Sequence, residues 1–173
     1  NTAFADYSAV LGGTKNIAGD PTKTDNTIGL ISTISGGHDN IASGVWSSVS
    51  GGRYNTSSGS CASVSGGSDN LASGDYAASV SGGTENTASG AYASVSGGMR
   101  NTASSWESSV SGGFGNTASG DDSSVSGGFN RNRSGGNRSG GGGYRGGGAY
   151  SGGYGGSSSG GRSSSGGRGR NDW

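Results

Sequence analysis

Residues 80–109 read VSGGTENTASGAYAS followed directly by VSGGMRNTASSWESS, two copies of one fifteen-residue unit. The Gly-Gly pair of this unit recurs along the chain, starting at residues 12, 36, 51, 66, 82, 97, 112 and 127. The spacing is 15 residues except for one interval of 16, which we attribute to an extra Ala in Tyr76-Ala77-Ala78, and a first interval of 24. The longer first interval predicts a loop around residues 21–26. Repetition at so short a period is typical of solenoids, in which each unit stacks on the next.

Three positions of the unit hardly vary: one is β-branched, one is small and apolar, and one is asparagine. Around each valine, Ala and Val alternate with Ser, as in Ala62-Ser63-Val64-Ser65, which is the period of a half-buried strand. The Gly-Gly and Ser-Gly pairs then supply the tight turns. The predicted core columns are Val49, Val64, Val80, Val95, Val110 and Val125 together with Asn40, Asn55, Asn70, Asn86, Asn101 and Asn116.

Fifteen residues cannot bury a face alone, but they can form one rung that pairs with its neighbours at ~4.8 Å through parallel β-bridges. We therefore predict an all-β fold, a parallel β-solenoid or β-roll of about eight 15-residue rungs, followed by a Gly-rich irregular tail. Each Asn amide is expected to donate to the rung above and accept from the rung below. The predicted division is 1–31 for an entry rung with a loop insertion, 32–135 for the solenoid and 136–173 for the tail.

The composition excludes most globular enzymes. Gly and Ser supply 42 and 37 of the 173 residues. Leu, Ile, Val and Phe together supply 19 residues, or 11% of the chain, well below the roughly 20% that an ordinary folded chain carries. Residues 1–128 hold four Lys or Arg against ten acids, and residues 129–173 hold seven Arg against one acid. The net charges of these segments, −6 and +6, cancel in the whole chain. Order must therefore come from the repeat, and the two segments differ in character.

No group of residues in the repeats predicts catalysis or metal binding. His38 is the one histidine and lies at a variable turn position, so a solvated residue is a better interpretation than a general base. Asp39, Asp69 and Glu85 share a column after Gly-Gly, but other residue types interrupt it, which favours solvation over a calcium ladder. We predict no catalytic residue, no cofactor, no metal and no enzymatic activity.

Two further columns are expected to face outward. A partial Thr column is interrupted by Ile41 and Leu71, so the sequence gives only weak support for a regular array of hydroxyl groups. Trp46, Tyr76 and Tyr92 are assigned to one tolerant column together with Cys61, Glu107 and Asp122. The rings of this column serve as lateral contacts between rods or as isolated surface groups. Cys61, the single cysteine, is expected to pack as a small apolar residue.

The unit at residues 80–94 resembles the head repeats of bacterial trimeric autotransporter adhesins of the YadA type, and the resemblance covers about residues 8–135. It implies a left-handed parallel β-roll that is assembled as a trimer. It also implies exposure on the cell surface and adhesion to a matrix or host surface.

The tail has a different composition, in which arginine and aromatic residues are spread through Gly and Ser. Its Arg145-Gly146-Gly147 resembles the RGG-type tails of glycine-rich RNA-binding proteins, which implies contacts of Arg with phosphate and of rings with bases. The other interpretations are a flexible linker and, because of the opposite charges, a segment that cross-links neighbouring subunits. The predicted tail contacts are Arg138, Tyr144, Arg145, Tyr150, Tyr154, Arg162, Arg168, Arg170 and Trp173.

These observations favour an exported structural protein, a subunit of an extracellular filament or surface appendage that assembles by end-to-end stacking of rungs in adhesion or a biofilm matrix. Its main partner would be itself, with a surface or glycan as a further partner and no membrane span. One alternative is a discrete trimeric adhesin head that binds a surface or glycan. The other alternative is binding of a polyanion or RNA through the basic tail, although nucleic acid is a less favoured partner than a second copy of the chain.

Overall fold

The computed structural model of the chain describes residues 1–20, residues 30–128 and the strand at 132–133. It confirms the prediction of an all-β parallel solenoid of about eight turns, and within the described residues there is no helix. The insertion loop predicted at 21–26, the end of the solenoid at 135 and the tail 136–173 lie outside the described residues. The strands are β1 Thr2–Ala3, β2 Ala9–Val10, β3 Ile17–Ala18, β4 Thr33–Ile34, β5 Ile41–Ala42, β6 Ser48–Val49, β7 Thr56–Ser57, β8 Ser63–Val64, β9 Leu71–Ala72, β10 Ser79–Val80, β11 Thr87–Ala88, β12 Ser94–Val95, β13 Thr102–Ala103, β14 Ser109–Val110, β15 Thr117–Ala118, β16 Ser124–Val125 and β17 Asn132–Arg133.

The strands form two parallel sheets, because each rung contributes one strand to each sheet. The odd-numbered strands make a nine-stranded sheet and the even-numbered strands an eight-stranded sheet. Pairing places equivalent positions of successive units side by side, so that Val80 is paired with Val64 on one side and Val95 on the other. The sequence period therefore becomes a spatial column for every position of the unit.

The interior is formed mainly by the second residue of each strand from β3 to β16, which is Ala or Ser in one sheet and Val or Ile in the other. Val80 is 1% exposed and Ala88 is fully buried, whereas the first residue of most strands is half-buried and faces outward. The side chains are small because the two sheets belong to a thin rung with no room for Leu or Phe inside. The buried apolar set is Ala18, Ile34, Ala42, Val49, Ala62, Val64, Ala72, Ala78, Val80, Ala88, Ala93, Val95, Ala103, Val110, Ala118 and Val125.

A buried asparagine in each rung satisfies the backbone at the Gly-Gly turn. The Asn86 Oδ1 accepts the backbone N–H of Asn101 at 3.0 Å, and its Nδ2 donates to the carbonyls of Gly82 at 2.8 Å and Gly98 at 3.0 Å. The ladder therefore bonds mainly to backbone groups. The Asn86 amide both donates to the next rung and accepts from it, whereas the sequence suggested donation to one neighbouring rung and acceptance from the other. Direct amide contacts of 3.1–3.2 Å occur between Asn16 and Asn40, Asn55 and Asn70, and Asn101 and Asn116.

The two glycines of a Gly-Gly pair have different tasks. Gly67 has φ +90°, and a Cβ there would lie 2.1 Å from the carbonyl oxygen of Gly83 in the next rung. A Cβ on Gly66 would meet no atom within 4 Å. The second glycine is therefore required by both backbone conformation and the close approach of the next rung.

Replacing the asparagine should expose its role in stability. In Asn86→Ala, the N–H of Asn101 and the carbonyls of Gly82 and Gly98 lose a buried partner, so the free energy of unfolding should fall by about 3 kcal/mol or more. Guanidinium denaturation followed by circular dichroism measures the loss. Thr87→Ala, at the neighbouring outward position, is the control and should change it by under about 0.5 kcal/mol; equal effects of the two variants would contradict the ladder's role.

The two glycines of one turn provide a matched pair of variants. Gly67→Ala should lower the thermal midpoint strongly or prevent folding, because the added methyl group overlaps a backbone oxygen and requires an unfavourable φ. Gly66→Ala should fold with a near-normal midpoint. Similar midpoints for the two alanine variants would show that the turn does not need the close approach.

Candidate binding surface

Large side chains in this solenoid are confined mainly to the two turns of each rung, since the outer strand positions carry mostly Ser and Thr. The Ser-Gly turn joins the two strands of one rung, as between β5 and β6. The Gly-Gly turn leads to the next rung, as between β6 and β7. The turns therefore form two separate edges along the stack, and each edge has its own chemistry.

The Ser-Gly edge carries a row of exposed large side chains that we call the aromatic ridge. Trp46 is 57% exposed, Tyr76 60%, Tyr92 46% and Trp106 48%. The rings of Tyr76 and Tyr92 are stacked with centroids 5.9 Å apart, and Trp106 meets Tyr92 edge-on at 5.1 Å. Such a concentration of exposed rings is typical of an interaction surface. The ridge consists of Tyr7, Ile31, Trp46, Cys61, Tyr76, Tyr92 and Trp106.

A backbone ladder holds the ridge in register. The N–H of Cys61 donates to the carbonyl of Val45 at 2.8 Å, and that of Tyr92 donates to the carbonyl of Tyr76 at 3.1 Å. The same bond recurs from Ile31 near the first rung to Asp122 beyond Trp106. The rings are thus presented by a repeated turn and not by isolated loops.

The same bonds correct two sequence-based assignments. The backbone N–H of Ala77 donates to the carbonyl of Ser60, just as the N–H of Cys61 donates to the carbonyl of Val45. Ala77, and not Tyr76, therefore occupies the position equivalent to Cys61. Tyr76 therefore does not share a column with Tyr92, and the extra residue of the sixteen-residue unit is Asp75 and not an alanine. The sequence could not place the insertion, because either choice preserves the period of the core columns.

Non-glycine residues on this edge adopt a left-handed conformation. The φ angle is +58° at Trp46, Cys61 and Tyr92 and +60° at Ile31, a region that costs non-glycine residues about 1–2 kcal/mol each. Cys61 is exposed, so the expectation that it packs as a small apolar residue is wrong. The turn directs its side chain to solvent even though its neighbours in the sequence are small.

The Gly-Gly edge carries mixed charges that pair locally. The Arg100 Nε lies 2.7 Å from Glu85 Oε2, and this hydrogen bond, together with the charge of Glu85, raises the pKa of Arg100 above its usual value. The guanidinium carbon of Arg53 lies 5.4 Å from the Tyr54 ring centroid. The same ring meets His38 edge-on at 5.9 Å. Two cations of this edge, Arg53 and Arg100, therefore contact a ring and an acid of the same edge.

The described part of the chain does not assemble a group of metal-ligating side chains. Among residues 1–20 and 30–128, no three His, Cys, Asp or Glu side chains come together to hold a metal ion. His38 Nδ1 lies 2.9 Å from Asp39 Oδ2 in an exposed turn. The described residues also include no helix long and apolar enough to cross a membrane.

The predicted residues fall into three places. The Val and Asn columns lie in the interior and do not form a surface site. The tail contacts from Arg138 to Trp173 lie outside the described residues. Of the ridge, the sequence pointed to Trp46, Tyr76 and Tyr92, but Tyr7, Ile31 and Trp106 were missed. The signal was available for Tyr7 and Trp106, which follow a strand of the odd-numbered sheet by four and three residues, whereas the insertion after β3 separates Ile31 from its strand.

The comparisons with known proteins agree with the fold. A family model described as the ubiquitous surface protein adhesin repeat matches residues 32–44. This segment contains one full set of the ladder residues, from Ile34 through the Gly-Gly turn and Asn40 to Ala42. The matched repeat and the β-solenoid together fit the repeats of YadA-like adhesins. No curated protein matches the chain.

The left-handed turn predicts opposite effects of two substitutions at one site. Cys61→Gly should raise the free energy of unfolding by about 0.5–1 kcal/mol, since glycine relieves the φ penalty but has a more flexible unfolded state. Cys61→Val should lower it by about 1–2 kcal/mol, because a β-branched residue fits this conformation poorly. Chemical denaturation of both variants measures the difference, and a more stable valine variant would contradict this account of the turn.

Proposed function

We propose that this chain is an exported, non-enzymatic structural protein of the cell surface, a subunit of an extracellular filament or appendage whose copies stack end to end. The observation that carries the proposal is the equivalence of the rungs, which pair in the same register from β1 to β17. A rung of a second copy would offer the same backbone partners. The adhesin repeat at residues 32–44 supports a surface location and a role in adhesion, and a biofilm matrix is the other setting that we propose.

The first rung of the described residues has groups suited to such stacking. The N–H groups of Thr2 and Phe4 donate to the carbonyls of Asn16 and Ala18 at 2.8 Å. Because alternate residues of a strand direct their backbone groups to opposite sides, those of Ala3 are directed away from the second rung. Among the described residues no strand pairs with this side of β1, and an unpaired strand edge is a template for another strand.

The asparagine ladder also extends to this rung. The Asn1 Oδ1 accepts the N–H of Asn16 at 3.0 Å, and its Nδ2 donates to the carbonyl of Gly13 at 2.8 Å. A stacked rung with asparagine at the equivalent position would continue the ladder. Stacking would therefore add both strand pairing and the bonds that stabilise each Gly-Gly turn.

A second candidate is a discrete trimeric adhesin head that binds a surface or a glycan. The adhesin repeat at 32–44 favours it, and the aromatic ridge supplies a surface for lateral contact. The two candidates differ in whether copies join through their end rungs or only side by side.

Proline at Ala3 tests the stacking. Proline is tolerated on an outer strand where its missing N–H faces solvent, so Ala3→Pro should leave the thermal midpoint nearly unchanged and abolish or strongly shorten filaments in negative-stain electron microscopy. Ala3→Val keeps the N–H and is the matched control.

Filaments of equal length for the proline and valine variants would contradict end-to-end stacking. Uniform particles with three-fold symmetry for the unaltered chain would support the adhesin head in its place.

A further inference from the structure

The aromatic ridge is anionic as well as apolar. Its turns include the exposed carboxylates of Asp6, which precedes Tyr7, and Asp75, which precedes Tyr76. Towards the last rungs they include Glu107, Asp121 and Asp122. In the described residues, none of these five carboxylates takes part in an ion pair; the two pairs present lie on the Gly-Gly edge.

The Lys and Arg residues of segments 1–20 and 30–128 lie on the other edge. Lys15, Arg53 and Arg100 are the Lys and Arg residues of segments 1–20 and 30–128, and all three belong to Gly-Gly turns. The Ser-Gly edge thus combines exposed rings with negative charge that the described residues do not neutralise. A ridge of this chemistry favours a partner that is cationic and can also stack on aromatic rings.

Arginine meets both requirements better than lysine. Its planar guanidinium stacks on Tyr and Trp and forms forked hydrogen bonds with carboxylates. The Gly-Gly edge already shows one arginine against a ring and one against a carboxylate: the guanidinium carbon of Arg53 lies 5.4 Å from the Tyr54 ring centroid, and Arg100 Nε lies 2.7 Å from Glu85 Oε2. The ridge presents the same acceptors without the arginines.

We infer that the aromatic ridge binds an extended arginine-rich polypeptide, and that its occupant is residues 136–173 of a second copy of this chain. That segment holds Arg138, Arg145, Arg162, Arg168 and Arg170 against the single acid Asp172, and most of its other residues are Gly or Ser. Small residues between the arginines allow a backbone to approach a row of rings closely.

Charge favours segment 136–173 as the occupant over the aromatic ridge of a second copy. Two ridges placed face to face would bring five carboxylates against five others, which is unfavourable. A contact between one copy's segment 136–173 and the next copy's ridge is heterologous, so it can repeat from copy to copy. It is lateral and does not depend on end-to-end stacking.

Sedimentation velocity of the full chain carrying Ala3→Pro tests the contact apart from stacking. We expect reversible self-association that weakens as salt is added. A synthetic peptide of residues 136–173 should reverse it, and a peptide with lysine at the five arginine positions should compete at least about threefold less well. A chain that stays monomeric throughout, or equal competition by the two peptides, would overturn the inference.

Tyrosines on the two edges provide a matched control. Tyr92 and Tyr54 are 46% and 48% exposed, with φ +58° and +56°. In the same background, Tyr92→Ala should raise the dissociation constant about three- to tenfold, Tyr92→Phe should restore it, and Tyr54→Ala should change it less than about twofold. Equal effects of the two alanine variants would place the contact elsewhere.

Two further measurements separate charge and partner class. Asp121→Asn with Asp122→Asn should weaken association and reduce its salt dependence, whereas Asp69→Asn on the Gly-Gly edge should not.

Adding hydroxyethyl cellulose while tryptophan fluorescence is measured tests a neutral glycan as the occupant of the ridge. Quenching by the polysaccharide with no effect of the 136–173 peptide would assign the ridge to glycans and overturn the inference.

Discussion

The bond between each buried asparagine amide and the glycine turn beside it is the interaction on which the rest of the structure depends. A rung lined by Val and Ala buries little apolar surface, so it cannot tolerate backbone groups that have lost water and gained no partner. Asn86 satisfies three such groups in two rungs. This arrangement requires the next rung's backbone to come close, which the left-handed second glycine permits. The stacking of strands follows from that approach.

The small volume of the interior side chains also explains which parts of the surface can bind a partner. The interior has no space for an aromatic ring, and the outer strand positions carry mostly small hydroxyl residues. Large groups are therefore placed at the turns, where side chains point to solvent. On the Gly-Gly edge, Arg100 forms an ion pair with Glu85. On the Ser-Gly edge Tyr76, Tyr92 and Trp106 contact one another and remain about half exposed.

The period of fifteen was sufficient to predict the parallel solenoid, because it repeats Val, Ala and Asn at positions whose burial is linked to strand alternation. The residues of the candidate surface were harder to predict from the sequence. Cys61 has small neighbours in the sequence, yet the positive φ of its turn directs it outward. Tyr76 was assigned to the wrong column because an inserted residue shifts only the turn that contains it. The backbone bond from Ala77 to Ser60 was needed to place it.

The sequence by itself determined the class of fold, the length of the rung and the identity of its core, since each follows from which residue types recur and at what interval. It also showed that negative charge is concentrated before residue 129 and arginine after it. The tertiary structure decided which turn carries each charged or aromatic residue. Within residues 1–20 and 30–128, it placed five carboxylates that form no ion pair beside the exposed rings, and it placed Lys15, Arg53 and Arg100 on the other edge. The reason is physical: periodicity specifies position along a rung, but contact between rungs depends on backbone geometry at the turns.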